Sequence, residues 1–304
     1  MELPFVTVDV FTQKRFRGNT LAIVTIPATG TKPTQEQKQI IAREFNLSET
    51  VFLHDVQDPA TNKTRRIDIF MPTAEMTFAG HPTLGTAVTL LDQGVDTIVT
   101  KAGPIPVKQT SPGVVQLSLP FEAHMHAKKV RDLSLAESKL PSDEQIRRLE
   151  LDAPVFSIVS GVHYVLVELP SLELLASVEQ PKAELPADDL LDKGRTGFLG
   201  RYYYVRQAST KDEQGQAVVS FRARMLTSTF EDPATGSASC CLAAYVSTVA
   251  DKQDTPNRKF VITQGAEMGK EAQMSVEIVL KDSVIDDVKL AGTAVPVMRG
   301  AITL

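Results

Sequence analysis

Tryptophan is absent from this 304-residue chain, cysteine occurs twice and histidine five times, so the side chains that usually carry redox and metal chemistry are scarce. The two cysteines, Cys240 and Cys241, are adjacent and cannot staple distant segments. That usage fits a reducing compartment and predicts a cytoplasmic location. No apolar run reaches the roughly 18 residues a spanning helix needs, and the opening MELPFVTVDVF has neither the basic region nor the apolar stretch of a signal peptide. Membrane insertion and export are not expected. A formal net charge of -5 offers no basic field for phosphate backbones, which sets nucleic acid aside as a partner. Walker, strand-coupled GxGxxG and G-x-S-x-G signatures are also missing, so nucleotide and hydrolase readings lack their usual support.

What is present is an ordinary globular composition, 42% hydrophobic and 23% charged, in a chain twice the usual domain length. Two domains are expected: residues 1–120, then 121–284, with a tail over about 285–304 returning to the first. Alternating apolar and polar residues predict strands at Phe5–Phe11, Thr50–His54, Arg66–Met71 and Val114–Leu119. Beyond Pro120 the pattern predicts strands at Val155–Val159, Tyr164–Leu169, Tyr202–Gln207, Val218–Met225, Phe260–Thr263, Met274–Leu280 and the tail Thr293–Leu304. Helical spacing marks Thr34–Phe45, a segment from His81, Pro141–Glu150 and Ser237–Val249.

One internal similarity is chemical as well as structural. Phe78–Ala87 can be laid over Ala234–Ala243 with Gly80 on Gly236, each a glycine followed by a helix of mostly small residues. Small side chains let strands enclose a helix closely, so both read as central helices inside a wrapped sheet. A glycine before a helix leaves backbone N–H groups uncovered, and two such helix starts facing one cleft would hold a carboxylate. Glycine before a helix is also common without any function.

Several side chains could carry chemistry. Glu49 lies between a helix end and an apolar strand, where burial would lift its pKa toward neutrality and suit it to take and return a proton. The plain alternative is a glutamate that satisfies local backbone donors. His81, in Gly80-His81-Pro82, can hydrogen-bond a substrate or be structural. Asp232, in Glu231-Asp232-Pro233, can hold a substrate amine or cap a turn. Ser237 is a helix-start donor or a simple cap. His124-Met125-His126 would put two rings on one strand face, but no carboxylate or cysteine at ligand spacing accompanies it, so no metal is expected. His54 and His163 stand isolated in strand patterns.

Four ordered blocks span nearly the whole chain: Val8-Asp9-Val10-Phe11-Thr12 with Phe16-Arg17-Gly18-Asn19, Leu47-Ser48-Glu49-Thr50, Phe78-Ala79-Gly80-His81-Pro82-Thr83-Leu84-Gly85, and Glu231-Asp232-Pro233-Ala234-Thr235-Gly236-Ser237-Ala238. In order and spacing the chain resembles the PhzF-like phenazine biosynthesis isomerase family. The resemblance implies an α+β fold of the diaminopimelate epimerase-like type, two similar domains each wrapping a mixed sheet around a central helix, usually as a homodimer. It implies a cofactor-independent isomerase that shifts a proton on a small carboxylate-containing substrate, a dihydroanthranilate-like or amino-acid-like molecule. In it Glu49 matches the acid/base; His81, Asp232 and Ser237, with Asn19, match substrate-contacting positions; Gly80 and Gly236 match the helix-start donors. Two departures bear on specificity: Thr20 stands where the family usually has Pro, and Lys270-Glu271 where Arg-Pro is typical. A two-base racemase of the same fold would need a thiol beside each helix-start glycine, where this chain has Ala79 and Thr235. A catalytically silent small-acid-binding protein is the remaining alternative.

Overall fold

The computed structural model describes residues 1–251 and 255–304. The chain divides into two compact units, the first Met1–Leu119 with Lys270–Gln273 and Leu290–Leu304, the second Pro120–Gly269 with Met274–Lys289. The short return of Lys270–Gln273 to the first unit has no local sequence signal.

In the first unit the sheet runs from strand Ala294–Thr303 through Glu2–Val10, Asn19–Ile26, Thr50–His54, Thr64–Phe70 and Thr97–Thr100 to Gly103–Ser111 and Val114–Ser118. Its pairings from Glu2–Val10 onward are antiparallel, parallel, antiparallel, parallel. In the second unit Val155–Val159, Val162–Glu168, Phe198–Arg206, Ala217–Leu226 and Asn257–Gln264 pair in the same series. Each unit also carries a two-residue strand, Glu75–Met76 or Glu231–Asp232, just before its central helix. The pairings Ile69 with Met76 and Met225 with Asp232 occupy corresponding places, so the repeat extends to register.

Val114–Ser118 alternates buried and half-buried residues, whereas Thr50–His54 and Val155–Val159 are buried on both faces. The strand Asn19–Ile26 is absent from the sequence reading, its run Leu21–Val24 being apolar throughout with no period-two contrast. Gly103–Ser111 escapes for the opposite reason, being largely exposed and holding Pro104 and Pro106. Val284–Gly292 is a further unforeseen strand. The passage 121–140 is not a bare linker: His124–Met125 pairs with Val155–Val159 in the second unit.

Helix Gln35–Phe45 delivers Glu49. Thr34 and Gln37 form a reciprocal cap, with Gln37 N donating to Thr34 Oγ1 at 3.2 Å and Thr34 N to Gln37 Oε1 at 2.9 Å. Ile41 and Ala42 bury its inner face, and Asn46 ends it in the left-handed region at φ 49°. The next three residues lead into strand Thr50–His54, which fixes where Glu49 emerges. Helix Glu144–Asp152, capped by Asp143, plays the matching packing role in the second unit.

The central helices Gly80–Thr89 and Gly236–Tyr245 are buried through nearly all their residues. A Cβ on Gly85 would meet Val10 Cγ2 at 2.7 Å and Leu21 Cδ2 at 2.8 Å, so glycine is required where these strands close on the helix. After Tyr245 the second helix loosens into a wider π turn over Val246–Ala250, within the helix expected to run to Val249.

Candidate active site

In the first unit Glu49 Oε2 lies 3.0 Å from His81 Nδ1, with the glutamate side chain 17% exposed and the histidine 5%. Glu49 leads into a strand; His81 is the second residue of the central helix. The Ser48 hydroxyl reaches Glu49 and also lies 3.4 Å from Asn19 Oδ1, which links Asn19 to the pair. Burial pushes the Glu49 carboxyl up, but the charge and hydrogen bond of His81 and the hydrogen bond of Ser48 outweigh it and hold the group below its ordinary value. The expected lift toward neutrality is therefore corrected: the interactions with His81 and Ser48 together decide the sign. Among the described residues two buried side-chain polar atoms lack a hydrogen-bond partner, and both belong to this place: His81 Nε2 and Thr50 Oγ1. A buried, unpartnered imidazole nitrogen costs stability and is rare without a reason. Gly80 has little room for a side chain, since a Cβ there would stand 3.1 Å from Leu290 Cδ2.

The loop before Asn19 is shaped by a buried aspartate. Asp9 accepts from Phe16 N at 2.5 Å and from the Thr20 hydroxyl at 2.8 Å. Gly18 N, at φ 63°, donates to Lys270 O at 3.1 Å. The two departures noted in the sequence, Thr20 and Lys270-Glu271, thus meet at one loop.

In the second unit the corresponding helix start is closed by its own hydrogen bonds. Ser237 does not cap the helix; its hydroxyl pairs with Tyr164 OH at 2.7 Å. Asp232 Oδ2 accepts from the Thr235 hydroxyl at 2.6 Å, while Gln264 Nε2 donates to Asp232 O at 2.7 Å and Gln264 Oε1 accepts from Thr235 N at 3.2 Å. The register of the repeat places Arg201, opposite Leu226, in the position of Thr50, opposite Phe70. Gly200 therefore stands where the first unit has Glu49, and Ser237 where it has His81. A Cβ on Gly200 would touch Tyr164 Cε1 at 3.1 Å, so the tyrosine ring occupies the space beside it. Burial raises the Tyr164 hydroxyl well above its ordinary pKa, and it stays neutral. Tyr164 and Gln264 were missed in the sequence, where nothing marks them apart from other strand residues.

The thiols are not placed for proton transfer. Burial pushes Cys240 up to about 12 and holds Cys241 well above its ordinary value, and Cys241 Sγ donates to Phe156 O at 3.3 Å. A surface cavity of about 340 Å³ in the second unit involves none of the expected site residues. Its polar groups already have structural tasks: Asp143 caps a helix, Lys182 bonds Ser142 and Tyr203 bonds buried Glu150.

Four histidines read as isolated or unaccompanied have partners. His54 Nε2 is 2.7 Å from buried Asp68. His124 Nε2 is 2.7 Å from Asp192 Oδ2, a carboxylate the local sequence gave no reason to place there. His126 and His163 flank Ser157, at 2.7 Å and 2.5 Å.

Comparison with known proteins gives the family. Residues 8–300 match the family described as PhzC-PhzF, phenazine biosynthesis-like protein. An uncharacterized isomerase of Mesorhizobium japonicum is 30% identical, with 97% of this chain and 96% of that protein aligned. The trans-2,3-dihydro-3-hydroxyanthranilate isomerase of Pseudomonas fluorescens is 28% identical over 99% of each chain. The crystal structure of the Bacillus anthracis phenazine biosynthesis protein of the PhzF family superimposes with a TM-score of 0.77 at 25% identity, covering both chains fully. The fold is α+β of the diaminopimelate epimerase-like type. No helix among the described residues is long and apolar enough to cross a membrane. With its full-length match, its repeated wrapped helices and its relatives named as isomerases, the chain belongs to the PhzF family of phenazine biosynthesis-like isomerases.

Proposed function

We propose that Glu49 is the acid/base of a cofactor-independent proton shift on a small carboxylate-bearing substrate of the dihydroanthranilate or amino-acid type. The observation that carries this reading is the 3.0 Å pair of Glu49 and His81, whose far ring nitrogen is buried without a partner. The ionised carboxylate only accepts, so His81 Nδ1 carries the hydrogen between them. When the ring carries the charge that lowers Glu49, Nε2 bears a second N–H, suited to a substrate carboxylate or carbonyl oxygen. Glu49, held below its ordinary pKa, is the proton acceptor at neutral pH. After taking a proton from carbon it becomes the acid that returns it, and burial, which favours the neutral carboxyl, assists that second half.

One base fits a shift of a proton from one carbon to another better than inversion at a single carbon. Inversion needs a second base, and the second unit has Gly200 where the first has Glu49, with a neutral tyrosine beside it. The two-thiol racemase is disfavoured on the same ground, because both thiols are buried and protonated. We assign Gly80 and Asn19, and in the second unit Asp232, Ser237 and Gly236, to substrate contact. The chain is taken to act as a homodimer in the cytoplasm, a state that sedimentation would check.

The test is incubation with candidate substrates in deuterated water. Label should enter substrate in the parent and not in Glu49→Gln. Equal exchange in the two proteins would remove Glu49 from the chemistry. Binding without exchange in the parent would favour a silent small-acid-binding protein.

A further inference from the structure

We propose that His124, His126 and Asp192 form a binding site for a zinc-like divalent transition metal, remote in sequence from the proton-transfer residues. Residues two apart in an extended segment share a face, so His124 and His126 project together while Met125 turns away, 40% exposed. Pairing of His124–Met125 with Val155–Val159 fixes that face. Asp192, which follows helix Ala187–Leu190, closes the group: its Oδ2 lies 2.7 Å from His124 Nε2 and 3.9 Å from His126 Nδ1. The three donor atoms lie within 4.8 Å of one another.

Zinc bonds of about 2.0–2.1 Å in tetrahedral geometry require donor atoms about 3.3 Å apart. The present spacings fall on both sides of that value, so the metal needs adjustments of up to about 1.5 Å. Two imidazoles and one carboxylate are a borderline donor set that favours zinc, cobalt, nickel or copper over calcium or magnesium.

The surroundings supply what ligands of this kind require. His126 Nε2 is 2.7 Å from the Ser157 hydroxyl, which is 2.5 Å from His163 Nδ1; His163 Nε2 faces Thr196 O at 3.2 Å. Only one tautomer set satisfies every member: His126 Nε2–H donates to Ser157, Ser157 donates to His163 Nδ1, and His163 Nε2–H donates to Thr196 O. The relay therefore holds the His126 proton on Nε2 and directs the lone pair of Nδ1 at Asp192. Asp192 Oδ1 accepts from Ala127 N at 3.2 Å, which leaves Oδ2 toward the rings. Such outer hydrogen bonds orient ligands and raise their basicity.

Two hydrogen bonds compete. Asp192 N donates to His126 Nδ1 at 3.0 Å, and His124 Nε2 carries the hydrogen of its 2.7 Å contact with the Asp192 carboxylate. The metal must replace both and displace the His124 Nε2 proton, and the chain at Asp192 must give. His124 and Asp192 keep about a third of their side chains exposed, which gives an entry path and room for water to complete the coordination. The nearby cation Arg195 is already paired with Glu122 at 2.8 Å.

The experiment is equilibrium dialysis of the chelator-treated full chain against Zn2+, with Co2+ as the spectroscopic probe. One equivalent should bind per chain, and Co2+ should give visible bands of a nitrogen and oxygen site without sulfur charge transfer. His124→Ala and Asp192→Asn should each abolish uptake at micromolar metal. Ser157→Ala should weaken it roughly 10–100-fold, with circular dichroism confirming that the variant folds. The proposal is overturned by no stoichiometric uptake, by uptake unchanged in both His124→Ala and Asp192→Asn, or by a thiolate band assigning the metal to Cys240 or Cys241.

Discussion

The two central helices begin alike and are finished differently. At the first, Glu49 meets His81 and a buried ring nitrogen is left without a partner. At the second, the matching positions are Gly200 and Ser237, and Tyr164 fills the space and completes the serine's hydrogen bond. Deeper in, the helix positions diverge again: Gly85 admits no Cβ, whereas Cys241 at the equivalent place is fully buried with its sulfur on Phe156 O. A duplicated scaffold thus leaves a carboxylate–imidazole pair with an unpartnered nitrogen in one half and builds a satisfied polar network in the other. An unsatisfied polar atom persists where something else is meant to satisfy it.

The comparison is broken most directly at its two chemical poles. Glu49→Gln should reduce deuterium incorporation by about 10²–10⁴-fold, the usual worth of a general acid/base. Tyr164→Phe removes one hydrogen bond worth about 1 kcal/mol, so its loss in the same assay should be several-fold. Equal losses would erase the asymmetry.

Each half also holds a buried ion cluster, and these should cost similar amounts to break. Asp68, 2% exposed at its side chain, binds Lys38 at 2.5 Å and His54 at 2.7 Å; Glu150, with no exposure, binds Arg201 at 2.8 Å and Tyr203 OH at 2.5 Å. Asp68→Ala and Glu150→Ala each strand a buried cation and should each destabilise by about 3–5 kcal/mol in urea titrations. Asp68 also sets a pH dependence. Burial opposes its charge, but the hydrogen bonds and charges of His54 and Lys38 hold it well below the usual carboxylate range. Its folded pKa lies under its unfolded one, so its contribution is present above the model-peptide value of 3.8 and is lost as acid titrates the folded group. Asp68→Asn should flatten the acid side of the stability–pH curve.

Gly85→Ala should cost about 1–3 kcal/mol from overpacking against Val10 and Leu21, measured by thermal melts. His81→Asn sharpens the contrast at the smallest scale. It removes most of what offsets burial at Glu49, so the acid limb of the pH–rate profile should move to higher pH. An unmoved limb would mean that His81 does not set the base.

Much of this was legible in the residues, and what was not has identifiable causes. Thr50–His54 and Val155–Val159 are readable to the residue because short, largely apolar runs are framed by turn-forming neighbours such as Asp55, Pro154 and Gly161. The Thr34 start and Asn46 stop of the first helix follow from capping chemistry. Glu49 and His81 were each nameable, but their pairing depends on how a strand entry and a helix start come together, and with it went the sign of the carboxyl shift. Tyr164 beside Gly200 depends on strand register. Asp192 lies 66 residues beyond His126 and has no local pattern at all.

Strand Glu2–Val10 is paired along its length with Ala294–Thr303, and Met1 and Leu304 exchange backbone hydrogen bonds. The half of the molecule that leaves the ribosome first is consequently completed last. Its opening strand must wait through the synthesis of nearly three hundred residues, while the other half has all its chain once Lys289 is made. Nascent-chain proteolysis should find the later-starting half protected earlier.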